Sequence, residues 1–101
     1  MVRQQYNIVW TVNAQKQIKQ IFEHIEQESP KNAVRVVEDI VLAVYQSIDN
    51  PEIYPSDKYK LDNDGSYRAF ERHRYRISYR FSNNIVRVLR VRHTSMKPLK
   101  F

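Results

Sequence analysis

Eight arginines lie between residues 68 and 92 of this 101-residue chain, and many of them fall at the two-residue spacing of a β-strand. In residues 74–81, RYRISYRF, Tyr75, Ile77, Tyr79 and Phe81 alternate with Arg74, Arg76, Ser78 and Arg80. A strand turns successive side chains to opposite faces, so such a segment buries one row and presents the other. The apolar row has to meet the core, which leaves the guanidinium row open. A planar, permanently charged fork of donors suits phosphate and carboxylate groups. The chemistry on offer is therefore capture of an anion, either nucleic acid or an acidic protein surface. His93, closing VLRVRH, adds a group that titrates near neutrality, although beside Thr94 and Ser95 its plainer role is to fix the C-terminal turn.

Charge along the chain sharpens this. Residues 1–65 hold seven Lys/Arg against ten Asp/Glu, a net of −3, whereas residues 66–101 hold ten against Glu71 alone, a net of +9. Segregation on this scale sets up a field that attracts anionic partners. The residues expected to meet a target or nucleic acid are Arg74, Arg76, Arg80, Arg87, Arg90, Arg92 and Lys97. There are no cysteines, which excludes disulfides and thiolate metal sites and suits a reducing cytosol. His24, His73 and His93 have no metal-ligand spacing, and no metal or cofactor is expected. No apolar run reaches the length of a signal-peptide core or a membrane span, so a cytoplasmic protein without membrane association is expected.

Behind the arginines stand the elements that must position them. Residues 5–10, QYNIVW, read as a short strand with Tyr6, Ile8 and Trp10 on one side. Thr11 is placed to cap a helix whose face is Ala14, Ile18, Ile21 and Ile25, running to about Gln27. Ser29-Pro30 is a second start signal. The helix it opens carries Ala33, Val37, Ile40, Val41, Val44 and Ile48, and Asn50-Pro51 stops it. Its stripe is widened by Val34, Val36 and Tyr45, so burial on more than one side is expected. The short gap between the helices makes them an antiparallel hairpin.

A turn-rich loop, PEIYPSDKYKLDNDG, leads into strands at roughly 66–71, 74–81 and 85–93. Asn83-Asn84 supplies a tight turn, since asparagine tolerates left-handed backbone. The predicted fold is α+β: an N-terminal strand, an α-helical hairpin, then a three-stranded antiparallel sheet, all in one domain spanning 1–101. A two-residue turn at Asn83-Asn84 pairs Arg80 with Arg87, Arg76 with Val91 and Arg74 with His93. The basic face then gathers Arg74, Arg76, Arg80, Arg87 and His93, while Arg90 and Arg92 fall on the helix side near loop carboxylates such as Asp57 or Asp62. Like charges opposed across a sheet are destabilising, so such a cluster suggests selection for something else.

The order of elements, with IVWT, YPSDKYKL, YRAF, YRISYRF and the closing VLRVRHTSM, resembles the RelE/ParE superfamily of bacterial toxins over nearly the whole chain. The resemblance implies a growth-inhibiting toxin, of plasmid-stabilisation type, neutralised by a cognate antitoxin in a hetero-oligomer. It also implies one of two targets. RelE-like relatives cut messenger RNA on the ribosome, driving a 2′-hydroxyl onto the adjacent phosphate, which calls for cations and proton-moving groups. In that case Arg68, Arg76 and His93 match the catalytic positions. ParE-like relatives poison DNA gyrase without that set. Phe70 stands where a catalytic lysine is expected, no tyrosine follows Tyr79, and the ending RVRHTSM is similar to ParE-like toxins. A ParE-like toxin is therefore expected, with a RelE-like endoribonuclease and a non-toxic basic nucleic-acid-binding domain as alternatives.

Overall fold

The computed structural model describes residues 6–101. The elements are β1 (Asn7–Trp10), α1 (Val12–Glu26), α2 (Pro30–Tyr45), a 3-10 turn (Pro51–Ile53), β2 (Tyr67–Arg72), β3 (Tyr75–Ser82) and β4 (Ile85–His93). This is the expected α+β order. Gln5, included in the predicted first strand, lies outside the described residues.

Both helices start as their caps dictate. The Thr11 hydroxyl accepts the Ala14 N–H at 3.1 Å, and the Ser29 hydroxyl accepts the Asn32 N–H at 3.1 Å with Pro30 in the first turn. α2 ends at Tyr45, short of the predicted stop at Asn50-Pro51. Gln46 caps it, its backbone N–H donating to the Leu42 carbonyl at 3.2 Å, the Ser47 hydroxyl donates to the Val44 carbonyl at 2.6 Å, and Asn50 instead caps the 3-10 turn. α2 is not buried on two sides. Ala33, Val36, Ile40, Ala43 and Val44 face the core, while Val34, Leu42 and Tyr45 are exposed.

The sheet has four strands in the order β1-β4-β3-β2. β1 runs parallel to β4, with Ile8 opposite Val86 and Trp10 opposite Val88, so the sheet is not purely antiparallel. The helical hairpin is the crossover that a parallel pair requires. Ile40, Val44, Ile77, Tyr79, Val86 and Val88 form the fully buried centre between helices and sheet. Burying each such side chain contributes roughly 1.5–3 kcal/mol.

Two tight turns join the last three strands. Asn83 and Asn84 have φ of 51° and 61°, the left-handed pair expected there. The other turn is His73-Arg74, at 51° and 67°. Arg74 is thus a turn residue and not part of the β3 face to which it had been assigned. The His73 Nε2 lies 2.6 Å from Asp39 Oδ2 and ties this turn to α2.

The predicted register holds from Ser82–Ile85 to Tyr79–Val88 and then shifts. Ser78 pairs with Arg90, Ile77 with Val91, Arg76 with Arg92 and Tyr75 with His93, leaving Leu89 as the extra residue of a bulge. Strict alternation would put Val91 outside and two guanidinium groups against the core. Burying unpaired charge costs far more than a bulge, so the strand slips by one residue. The amino end of α1 secures the slip: the Thr11 hydroxyl donates to Leu89 O at 3.1 Å, and Gln17 Oε1 accepts the Val91 N–H at 2.7 Å.

Candidate functional site

The bulge decides which arginines share a face. Cross-strand rows on the side away from the helices are Tyr67–Arg80–Arg87, Ala69–Ser78–Arg90 and Glu71–Arg76–Arg92. Arg90 and Arg92 therefore join the basic face, contrary to the expectation that they would lie on the helix side. His93 leaves it, pairing with Tyr75, whose ring meets the imidazole edge-on at 5.2 Å. The His93 Nδ1 accepts the Ser95 N–H at 3.0 Å, the backbone-fixing role.

The loop before β2 covers this face and supplies its counter-charge. Asp57 is 2% exposed. Its Oδ1 accepts the Tyr59 N–H at 3.0 Å and meets Arg76 Nη2 at 2.8 Å, while its backbone N–H donates to Tyr67 O at 2.8 Å. Glu71 adds a weaker contact to Arg76 Nη1 at 3.4 Å. Arg76, expected to stand open, is in fact an ion-pair partner with a side chain only 19% exposed. The loop carboxylate was legible in the sequence, but its partner is Arg76 rather than Arg90 or Arg92.

Aromatic rings are interleaved with these cations. Tyr59 lies 4.8 Å from the Arg76 guanidinium, Tyr67 lies between Lys60 at 4.8 Å and Arg80 at 5.0 Å, and Phe101 is 4.0 Å from Arg90. Burial pulls Arg90 below the ordinary guanidinium range, with Asp57 opposing that shift. Beneath the C-terminal residues lies a cavity of about 60 Å³, lined by Asp57, Arg76, Arg90, Arg92, Leu99 and Phe101 among others. That volume has room for a few water molecules.

Arg68 belongs to the other face, opposite Tyr79. Its Nε donates to Gly65 O at 2.8 Å and Nη1 to Tyr54 O at 3.2 Å, so it braces the loop onto β2. Arg68 is thus set apart from Arg76 and His93, which both line the cavity. Arg87 is exposed beside Arg80, and the Lys97 carbonyl accepts from Arg92 Nη2 at 3.2 Å. The tyrosines nearest these groups are structural. Burial raises Tyr54, Tyr75 and Tyr79 above the usual phenol range, and the hydroxyls of Tyr54 and Tyr79 donate to Ala43 O and Pro51 O. Among the described residues no cluster of three His, Asp or Glu is placed to hold a metal, and no helix is long and apolar enough to cross a membrane.

What sequence reasoning missed was the bulge and the docked end of the chain. The spacing of Val86, Val88 and Val91, two residues and then three, is the signal for the first. Apolar Met96, Leu99 and Phe101 at an otherwise polar end are the signal for the second.

The chain thus presents a basic sheet face with a bound-in counter-charge, backed on the opposite side of the sheet by a helical hairpin. The family profile described as "ParE toxin of type II toxin-antitoxin system, parDE" matches residues 8–98, and the chain belongs to this ParE toxin family. No curated protein gives a significant match. Among solved structures, a chain of the chromosomal ParDE toxin–antitoxin system from P. aeruginosa is similar at 20% identity with a TM-score of 0.69. The likeness covers 87% of this chain and 95% of that one. A chain of the RelBE2 toxin–antitoxin complex from Mycobacterium tuberculosis is similar at 19% identity with a TM-score of 0.61, covering 88% and 91%. At such identities these two likenesses speak for the fold.

Proposed function

We propose that this protein acts as a ParE-like toxin, arresting bacterial growth by binding and poisoning DNA gyrase rather than by cleaving RNA. The observation that carries this is the state of Arg76. A nuclease needs that guanidinium free to meet developing phosphorane charge, whereas here Asp57 and Glu71 already hold it at 2.8 and 3.4 Å. The separation of Arg68 onto the opposite face supports the same reading. Membership of the ParE toxin family favours gyrase over the ribosome as target.

A cognate antitoxin is the partner we infer, by analogy with the two-component systems named for the similar structures. Exposed Val34, Leu42 and Tyr45 on α2 offer it an apolar strip, and the +9 charge of residues 66–101 offers an acidic segment a salt-sensitive contact. The test is induced expression without antitoxin, with DNA breakage and messenger cleavage read separately. Growth arrest with DNA breakage and intact messenger is expected. Messenger cleavage that is lost together with arrest in Arg76→Lys would install the endoribonuclease instead, and normal growth with folded protein accumulating would remove both toxin readings.

A further inference from the structure

The end of the chain occupies the arginine face. Residues 94–101, TSMKPLKF, leave β4 with the Thr94 N–H donating to Arg74 O at 2.8 Å and turn back over the sheet. At the far side Phe101 exchanges backbone hydrogen bonds with the loop: its N–H donates to Tyr59 O at 3.0 Å, and the Leu61 N–H donates to Phe101 O at 2.5 Å. That reciprocal pair holds one residue of the tail as strand pairing would. The Phe101 ring sits 4.0 Å from the Arg90 guanidinium and 5.7 Å from the Tyr67 ring. The groove between residues 57–61 and the sheet therefore receives an extended backbone bearing one aromatic side chain.

Its present occupant is poorly matched in charge. Lys97 and Lys100 arrive on a face that already holds Lys58, Lys60, Arg76, Arg80, Arg90 and Arg92 against Asp57 and Glu71. Met96 and Leu99 stay 50% and 46% exposed, so little apolar burial compensates. We propose that this groove is a docking site for an extended partner segment carrying an aromatic residue flanked by carboxylates, and that such a segment displaces the basic tail. The docking site is independent of which target the toxin attacks.

The probe is a capped, fluorescent Glu-Pro-Leu-Glu-Phe peptide, the last five residues of the tail with both lysines exchanged for glutamate. It is titrated against the full chain and full-length variants whose fold is checked by circular dichroism. Phe101→Ala loosens the tail and should tighten peptide binding several-fold. Arg90→Ala removes the cation under the ring and should weaken it about tenfold. The Lys97→Glu/Lys100→Glu double variant, which leaves the sheet untouched, gives the tail the charge it lacks and should also exclude the peptide. A Lys-Pro-Leu-Lys-Phe peptide should bind far more weakly than the glutamate probe. Absence of binding to Phe101→Ala, or equal binding by the double variant and the parent chain, would overturn the proposal. So would tighter binding of an oligothymidylate than of the peptide to Phe101→Ala, which would make the groove a nucleic-acid surface.

Discussion

Removing the Asp57 carboxylate is the sharpest test of how the basic face is held together. The side chain is 1% exposed and joins the loop to β3 through the Tyr59 N–H and the Arg76 guanidinium. Asp57→Ala leaves Arg76 with Glu71 at 3.4 Å, a partner that is itself half exposed. Breaking a buried pair by removing one member costs about 3–5 kcal/mol, because the other charge stays buried. The Glu71 contact and the partial exposure of Arg76 place the expected loss near the low end, about 3 kcal/mol. With a urea m-value of about 1–3 kcal/mol/M for a domain of this size, the unfolding midpoint should fall by roughly 1–3 M. Asp57→Asn keeps an acceptor for the Tyr59 N–H and should lose less. In a double-mutant cycle with Arg76→Ala, a coupling of roughly 1.5–3 kcal/mol is expected, insensitive to added salt. A loss below 1 kcal/mol, or a coupling that disappears in salt, would mean that the pair behaves as a surface contact and that Arg76 is free after all.

Three further outcomes follow from the same geometry. Tyr54, Tyr75 and Tyr79 are all raised above 10.0 by burial, so the folded chain keeps protons that the unfolded chain releases. Stability should be complete below pH 10 and fall above it, by up to about 1.4 kcal/mol per pH unit for each tyrosine. Urea unfolding at pH 9, 10 and 11 measures this, and equal midpoints would contradict it. Thr11→Ala removes both the cap on α1 and the bond to the bulge at Leu89, and should cost about 1–2 kcal/mol in thermal unfolding. Arg74→Gly relieves a left-handed turn residue at φ 67° and should raise the melting temperature, by up to about 1–2 kcal/mol of stability; a fall would show that the arginine side chain holds the turn.

Much of the scaffold was written locally. Thr11 and Ser29-Pro30 mark where the helices start because a hydroxyl and a missing N–H act within one turn of chain, and Asn83-Asn84 marks a hairpin because only short-range backbone strain is at stake. The two-residue period of Tyr75 to Phe81 likewise names one buried row from the strand alone. What lay beyond the sequence involves comparison between distant segments. Whether Arg90 and Arg92 or Val91 faces the core depends on the whole sheet's burial, and the tertiary fold resolves it with a bulge braced by Thr11 and Gln17 from the other end of the chain. The parallel pairing of β1 with β4 exists only once the helical hairpin has carried the chain across the sheet. Arg76 looked open because its own strand says nothing about what lies over it. Only the return of residues 57–61 and of Phe101 across that face gives the guanidinium its carboxylate and its cover, since charge pairing and burial are set by neighbours in space.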